Sequence, residues 1–209
     1  MKLGKKEFLN FSFLFTTVFI IFTVLVNFNL LTKFDFDTTL ILQKFIPQSI
    51  DTLFSAFSLI GNAEIAGLFL LLILLIFKKL NIIIVLLLFV LLHIPELFLK
   101  SNLSHSGPPI EFLRTIKLFP IPQISIPGEY FSYPSGHSAR TVFISIILFV
   151  LISRLKLSRN TKYLVYGAIL TFDFTMLVSR VYLGEHWTSD VIGGSLLGAA
   201  FAFIGILLI

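Results

Sequence analysis

The chain has 209 residues, of which 56% are hydrophobic and 13% are charged, and its mean hydropathy is +0.98. Soluble globular domains carry about 25% charged residues, so this composition indicates a membrane protein. The absence of cysteine excludes disulfides, thiolate zinc sites and cysteine nucleophiles. The net charge of +5 does not indicate nucleic-acid binding, because the basic residues are scattered at the ends of apolar segments.

Apolar residues fall in long segments that approach the ~20 residues a membrane-spanning helix needs. The segments are residues 8–31, 57–77, 80–99, 137–153, 162–178 and 190–209. Glu64 interrupts the second, and His93 and Glu96 interrupt the third, so we expect these side chains to face inward or to lie near an interface. No repeat or linker divides the chain. The sequence therefore predicts one all-α membrane domain, a six-helix bundle over residues 1–209.

Basic residues in short connections resist translocation and therefore predict orientation. With the N-terminus inside, Glu7 is the only acid among the inner basic residues. These are Lys2, Lys5, Lys6, Lys78, Lys79, Arg154, Lys156, Arg159 and Lys162. We expect a multi-pass cell-membrane protein with both termini in the cytoplasm.

Polar residues collect in three stretches, 100–108, 134–140 and 179–190, each at the outer end of a predicted helix. The connection over residues 100–134 contains six of the eight prolines, which is typical of an ordered loop with short helices at most. If the last four helices pack together, the three stretches meet at one extracytoplasmic surface, beside the lipid headgroups.

His186 and Asp190 are four residues apart, which is about one helical turn. A carboxylate at this distance can fix the imidazole tautomer through one nitrogen and leave the other free to attack phosphorus. Alone, His186 and Trp187 also suit an interfacial aromatic belt, with Asp190 merely near a helix start. Arg180 favours the catalytic interpretation, since its guanidinium can donate two hydrogen bonds to phosphate oxygens. Alternatively, its long side chain could extend to the lipid headgroups and anchor the helix there.

Ser135 and Gly136 precede an apolar helix, so their backbone amides and the Ser135 hydroxyl can face an anion at its N-terminus. His137 could then protonate a leaving group and later activate water. A turn with an N-cap is the alternative interpretation of the three residues.

These residues form two motifs that resemble the signature of the type 2 phosphatidic acid phosphatase superfamily. The motifs are Pro134-Ser135-Gly136-His137 and Ser179-Arg180, five residues, His186, three residues, Asp190. The resemblance implies a membrane-embedded lipid phosphatase with His186 as nucleophile, Asp190 as its orienting acid and His137 as general acid and base. The residues implied to bind the phosphate are Lys100, Ser135, Gly136 and Arg180.

The family's first motif is lysine, six residues, then arginine-proline. Lys100 and Pro108 match it, but Gly107 stands where the arginine is expected and cannot bind a phosphate oxygen through a side chain. Three residues could compensate from the same side, Arg114, Arg140 or His105. The carboxylates do not cluster as a magnesium or two-metal site requires, so we expect no metal or other cofactor.

The resemblance implies hydrolysis of a lipid phosphate monoester or diphosphate through a phosphohistidine. The candidate substrates are polyprenyl diphosphates, undecaprenyl diphosphate among them, phosphatidic acid and phosphatidylglycerol phosphate. Two alternatives remain, a lipid-linked phosphotransferase that uses the same histidine and a catalytically weakened lipid-phosphate binder. The expected partners are the lipid substrate and membrane lipids, without nucleic acid, and the sequence does not indicate an oligomeric state.

Other polar residues have local interpretations. Glu96 lies one turn before Lys100, which suits an ion pair. Asp173 could bond to a neighbouring helix or support the site from below. His105 is expected to be a solvated loop histidine, and Glu185 a local polar partner or a residue that shapes the substrate site.

Overall fold

The computed structural model describes residues 4–77, 82–116, 118 and 131–208, and all regular structure within them is helical. The α-helices are α1 (Lys5–Asn27), α2 (Thr32–Phe45), α3 (Asp51–Ser58), α4 (Ala63–Ile76), α5 (Ile82–Leu91), α6 (His93–Asn102), α7 (Gly136–Ser153), α8 (Arg159–Tyr182) and α9 (Thr188–Leu207). Short 3-10 turns cover Gln48–Ile50, Leu59–Gly61 and Ile110–Phe112. The all-α prediction is confirmed. Lys2, Lys78 and Lys79, used above to predict orientation, lie outside the described residues.

Among the described residues, five helical segments are long and apolar enough to span a membrane. They are α1, the segment Ile83–Asn102 formed by α5 and α6, α7, α8 and α9. A sixth is obtained if Gln48–Gly61 and Ala63–Ile76, which are bent by 59° relative to each other, count as one broken span. The chain is therefore a multi-pass membrane protein.

The second predicted segment, residues 57–77, is wrong as a single straight helix. The helix breaks at Asn62, whose φ of −63° and ψ of 148° are extended rather than helical. Hydropathy does not reveal this break, because the residues on both sides are apolar. The break turns Gly61 and Asn62 toward α7, where they contact polar side chains.

Helix α2 was not predicted, because its charged residues remove it from any hydropathy-based assignment. Asp35, on its buried side, accepts hydrogen bonds from the backbone N and the Oγ of Ser189, both at 2.7 Å. Thr38 lies 2.6 Å from Thr188 through their hydroxyl oxygens. Helix α2 therefore holds the N-terminal end of α9.

Helices α7 and α9 form the buried centre of the molecule, and α1 packs on the other side of α9. Gly194 and Gly198 allow the close approach, since a Cβ on either would overlap the carbonyl oxygen of Ser135 or Ala139. Helix α8 is joined to α7 by the Ser145 hydroxyl, which donates to Asp173 Oδ1 at 2.6 Å. Of the two interpretations of Asp173, the structure therefore agrees with a hydrogen bond to a neighbouring helix.

Candidate active site

The three polar stretches come together where α7 and α9 begin. The backbone N of Ser135 donates to the carbonyl oxygen of Asp190 at 2.9 Å, which joins the two helix starts directly. Ser135 also caps α7, because its Oγ accepts from the backbone N of Ser138. A Cβ on Gly136 would overlap the Glu96 carboxylate, so glycine lets α6 approach the start of α7.

His186 lies in the connection between α8 and α9 and is 9% exposed. Its Nδ1 is 3.3 Å from Asp190 Oδ2, the contact that their spacing predicts. The same carboxylate oxygen accepts from the backbone N of Trp187 at 2.9 Å. Burial lowers the pKa of His186, although the contact with Asp190 opposes that shift. A buried, oriented and neutral imidazole is a suitable nucleophile.

Arg180 lies in the last turn of α8, and its side chain is almost fully buried. Its guanidinium forms an ion pair with Glu185, which also accepts a hydrogen bond from Thr115 Oγ1. Within the described residues, Arg180 Nε has no hydrogen-bond partner. Glu185 is thus a local polar partner, and the guanidinium retains a donor for an anion.

His137 Nε2 lies 3.0 Å from Asn62 Oδ1. An amide oxygen only accepts, so this contact assigns a proton to Nε2. The sequence did not identify Asn62 as a residue of the site, because its position depends on the break between α3 and α4. The only signal in the sequence is a Gly-Asn pair within an apolar segment, Gly61 and Asn62.

Glu96 connects two of the cations near the site. Lys100 Nζ lies 2.9 Å from Glu96 Oε1, so the predicted ion pair is confirmed. A guanidinium nitrogen of Arg140 lies 3.5 Å from Glu96 Oε2 and 3.3 Å from His93 Nε2, and Arg140 Nε donates to the carbonyl oxygen of Gly61 at 2.9 Å. The polar residues of the third predicted segment, His93 and Glu96, therefore face the interior, whereas Glu64 of the second segment is exposed.

The residues suggested as substitutes for the missing arginine lie in different places. Arg114 stacks on the Tyr182 ring at 5.1 Å and donates to the carbonyl oxygen of Gln43. Arg140 interacts electrostatically with His137. His105 is 7% exposed and faces Asp190, so the expectation of a solvated histidine is wrong. The backbone of its loop folds inward, since Ser132 N donates to the carbonyl oxygen of His105.

The charges of the site act on both central histidines. His137 interacts electrostatically with Lys100, Arg180 and His186, and His186 with Lys100 and Arg180. Such a group of cations around an imidazole suits phosphoryl transfer, in which negative charge spreads over the transferred group. In the described part of the chain, no three histidine or acidic side chains are grouped as a metal site needs.

An apolar cavity of about 430 Å³ opens between α4, α7 and α8. Ile60 lines it next to Gly61, and Thr141 lines it one turn after His137. Phe69, Leu148 and other apolar residues continue the wall away from the polar site. An amphiphile with its head at the histidines could place a hydrocarbon chain here.

Comparisons with known proteins agree with this arrangement. The profile of the PAP2 superfamily matches residues 100–209. Over 75 residues the chain is 36% identical to phosphatidylglycerophosphatase B of Bacillus subtilis (strain 168), a match that spans 35% of this chain and only 37% of that enzyme.

Two crystal structures show the same fold. One is a transmembrane PAP2 type phosphatidylglycerolphosphate phosphatase from Bacillus subtilis, with a TM-score of 0.71, 21% identity and 94% of both chains covered. The other is Aquifex aeolicus LpxE, with a TM-score of 0.61, 22% identity and coverage of 83% of this chain and 94% of that one. Because the family profile matches more than half of the chain and includes all three polar stretches, this protein belongs to the PAP2 superfamily.

Proposed function

We propose that this protein is an integral-membrane phosphatase that hydrolyses a lipid phosphate through a phosphohistidine on His186. The observation that carries the proposal is the pairing of His186 Nδ1 with Asp190 Oδ2 at 3.3 Å, beside the buried guanidinium of Arg180. Asp190 fixes the tautomer in which Nε2 holds the lone pair. In the described part of the chain, His186 Nε2 has no hydrogen-bond partner, so it is available for attack.

In the first step, His186 Nε2 attacks phosphorus while the bond to the lipid oxygen breaks. His137, protonated on both ring nitrogens in the substrate complex, gives its Nδ1 proton to the departing oxygen and becomes neutral, with Nε2–H still bonded to Asn62. Asp190 stabilises the positive charge on the phosphorylated imidazole. Lys100 and Arg180 neutralise charge on the phosphoryl oxygens, with the Ser135 hydroxyl and the amides at the start of α7 as further donors. No step requires a metal.

In the second step, water attacks the phosphohistidine and the phosphorus–nitrogen bond breaks. His137 accepts the proton of the attacking water, which returns it to its starting state. Inorganic phosphate leaves, and His186 is again neutral. The two steps therefore need only the protein, the lipid and water.

The cavity between α4, α7 and α8 supports a lipid substrate, because it is apolar and its wall includes Ile60, next to Gly61, and Thr141, one turn after His137. Phosphatidylglycerol phosphate is favoured by the names of the Bacillus relatives. Polyprenyl diphosphates and phosphatidic acid carry the same combination of phosphate and hydrocarbon. We place the site on the extracytoplasmic face and both termini in the cytoplasm, as the basic residues predict.

The test is phosphate release by the detergent-purified chain from a panel of these lipids in EDTA, with His186→Ala as the inactive variant. The His186→Ala protein must keep the wild-type unfolding temperature, so that its inactivity reports on chemistry. We expect metal-independent release that the substitution abolishes. Release that needs added metal, or that survives the substitution, would contradict the mechanism.

The same assay separates the two alternatives. A phosphotransferase would label an added alcohol or sugar without releasing free phosphate. A weakened binder, suggested by Gly107, would bind the lipid without turnover. Either result would replace hydrolysis as the function of this site.

A further inference from the structure

The Asp190 carboxylate lies between two imidazoles. His186 Nδ1 is 3.3 Å from Oδ2, and His105 Nε2 is 3.3 Å from Oδ1. Asp190 is fully buried, and within the described residues its Oδ1 has no well-aligned hydrogen bond. His105 is therefore the group that faces the second oxygen of the acid that orients the nucleophile.

The surroundings of His105 assign its proton. Its Nε2 also lies 3.4 Å from Ser189 Oγ, and that hydroxyl donates its own hydrogen to Asp35 Oδ2 at 2.7 Å. While Asp35 and Asp190 are ionised, neither neighbour of Nε2 can donate to it. Nε2 must then carry a hydrogen, which is directed to Ser189 Oγ at 3.4 Å, while Asp190 Oδ1 lies 3.3 Å from the same nitrogen.

The position of His105 is fixed by its own loop. Its backbone N donates to the carbonyl oxygen of Leu103 at 2.8 Å, and its carbonyl oxygen accepts from Ser132 N at 3.0 Å. Its ring meets the edge of the Tyr133 ring at a centroid distance of 6.2 Å. Tyr133 directly precedes the Pro-Ser-Gly-His motif, so His105 is held by the segment that leads into the phosphate site.

We propose that His105 is a positioning residue that holds Asp190 from the side opposite His186. A buried carboxylate with one unpaired oxygen can rotate toward other donors, and each rotation would turn the His186 ring away from its line of attack. A donor on Oδ1 fixes the plane of the carboxylate, and Oδ2 then fixes the imidazole. This proposal rests on the proposed function, because it concerns phosphoryl transfer to His186.

Three substitutions test it in the full-length, detergent-purified chain. His105→Leu removes the donor, His105→Asn is polar but too short to reach Asp190, and His105→Gln retains an N–H donor at nearly the same distance. The substrate is the lipid phosphate that the panel shows to be turned over fastest. Ser104→Ala, an exposed neighbour in the same loop, is the matched control.

We expect His105→Leu and His105→Asn to lower kcat about tenfold or more, the effect of one lost hydrogen bond to a charged group. KM should stay within about twofold, because Lys100 and Arg180 are untouched, and His105→Gln should recover most of kcat. Wild-type kcat in His105→Asn, or a loss that appears only in KM, would overturn the proposal. His105→Asn keeps the test valid if the leucine variant does not fold.

A double-mutant cycle separates positioning from general structural support. If His105 acts through Asp190, adding His105→Asn to Asp190→Asn should lower kcat little further, whereas losses that multiply would overturn the proposal. His186→Ala in the same series reports on the proposed function. Activity that survives His186→Ala overturns the mechanism, while His186-dependent activity that is indifferent to His105 overturns this inference alone.

Discussion

At the scale of single residues, the site is organised by how buried charges find partners. Asp190 is fully buried, and an ionised carboxylate tolerates burial only where donors surround it. The Trp187 backbone amide and His186 supply donors to Oδ2, and His105 faces Oδ1. The acid is thus restricted to one orientation, and His186 with it.

In the proposed mechanism, the pKa of the nucleophile His186 determines the acid limit of the reaction. Burial lowers this pKa below the ordinary histidine value of about 6.5, and the contact with Asp190 acts in the opposite direction. Only the neutral imidazole can attack, so kcat/KM should fall only below the lowered pKa. In Asp190→Asn the opposing effect is lost, and the acid limb should move to still lower pH as the rate drops.

The measurement is the pH profile of kcat/KM for the wild-type chain and for Asp190→Asn. If wild-type kcat/KM already falls while the pH is lowered from 8 to about 6.5, the result would contradict a neutral, buried nucleophile. An acid limb that moves to higher pH in Asp190→Asn would show that the sign of the Asp190 contribution is wrong.

Gly107 leaves the position of one expected phosphate ligand without a charge. A Cβ on Gly107 would lie 3.4 Å from the Ser132 Cβ, an ordinary van der Waals contact, so the backbone position accepts a residue other than glycine. Gly107→Arg should therefore raise kcat/KM about tenfold through one charge-assisted hydrogen bond. Gly107→Met is the control for side-chain volume without charge.

The kinetics of both variants show whether the contact of the family's arginine with the phosphate is simply missing here or is replaced by another residue. Unchanged or lower turnover in Gly107→Arg would indicate that Arg140, which interacts electrostatically with His137, already supplies the missing charge. An equal gain in Gly107→Met would show that the guanidinium is not the cause.

At the scale of helices, the site depends on how closely α7 and α9 approach. Gly194→Ala would place a Cβ against the carbonyl oxygen of Ser135, a backbone atom that cannot move without displacing the start of α7. We expect a loss of roughly 2 kcal/mol of stability and a matching loss of activity, because Ser135 N is bonded to the Asp190 carbonyl.

Gly167→Ala is the matched control for the glycine substitution. Gly167 lies in α8, and a Cβ added to it would meet no atom of another helix within 4 Å among the described residues. Alanine should therefore raise stability by about 0.5–1 kcal/mol through helix propensity. Thermal unfolding in detergent checks both variants. Equal stability of the two alanine variants would show that α7 and α9 are not in close contact.

Helix α2 stabilises the start of α9 through Asp35. Burial raises the pKa of Asp35, and the two hydrogen bonds from Ser189 lower it by less. Asp35→Ala leaves the buried Ser189 N–H unpaired, which should cost about 1–3 kcal/mol. Asp35→Asn, which keeps an acceptor, should lose less.

Asp37→Ala, an exposed acid on the same helix, is the control for the loss of a carboxylate. The unfolding temperatures of the three variants check this order of stability, in which Asp37→Ala loses least and Asp35→Ala most. If Asp37→Ala is as destabilised as Asp35→Ala, the contact with Ser189 is not the cause.

These contacts show what the sequence could and could not predict. The Glu96–Lys100 contact was predictable, because the two residues lie four apart in α6. The His186–Asp190 contact was predicted from the same spacing, although His186 precedes α9 and meets an acid in the first turn of that helix. Asn62 and Asp35 were not, since one depends on a helix break within an apolar segment and the other on a helix that hydropathy does not detect. His105 needed the loop to fold inward, and no spacing rule encodes that.

At the scale of the whole molecule, two kinds of segment build the site. Helices α7, α8 and α9 carry the two long motifs within one continuous part of the chain, and the family profile covers them. Asn62 and Asp35 come from the N-terminal part, outside the profile match, and reach the same end of the bundle. The N-terminal part therefore contributes direct contacts to the ends of α7 and α9.

The orientation of the bundle can be measured directly, because the chain contains no cysteine and a single introduced thiol has no background. Glu111 and Lys156 are both exposed, Glu111 in the connection after α6 and Lys156 in the one between α7 and α8. Among the described residues, α7 is the one spanning helix between these positions, so we expect them to lie on opposite sides of the membrane. The distribution of basic residues predicts that Lys156 lies in the cytoplasm. A membrane-impermeant maleimide on intact cells should therefore label Glu111→Cys and leave Lys156→Cys unlabelled until the cells are permeabilised.

The reverse pattern would put the active site in the cytoplasm, and labelling of both in intact cells would mean that α7 does not span.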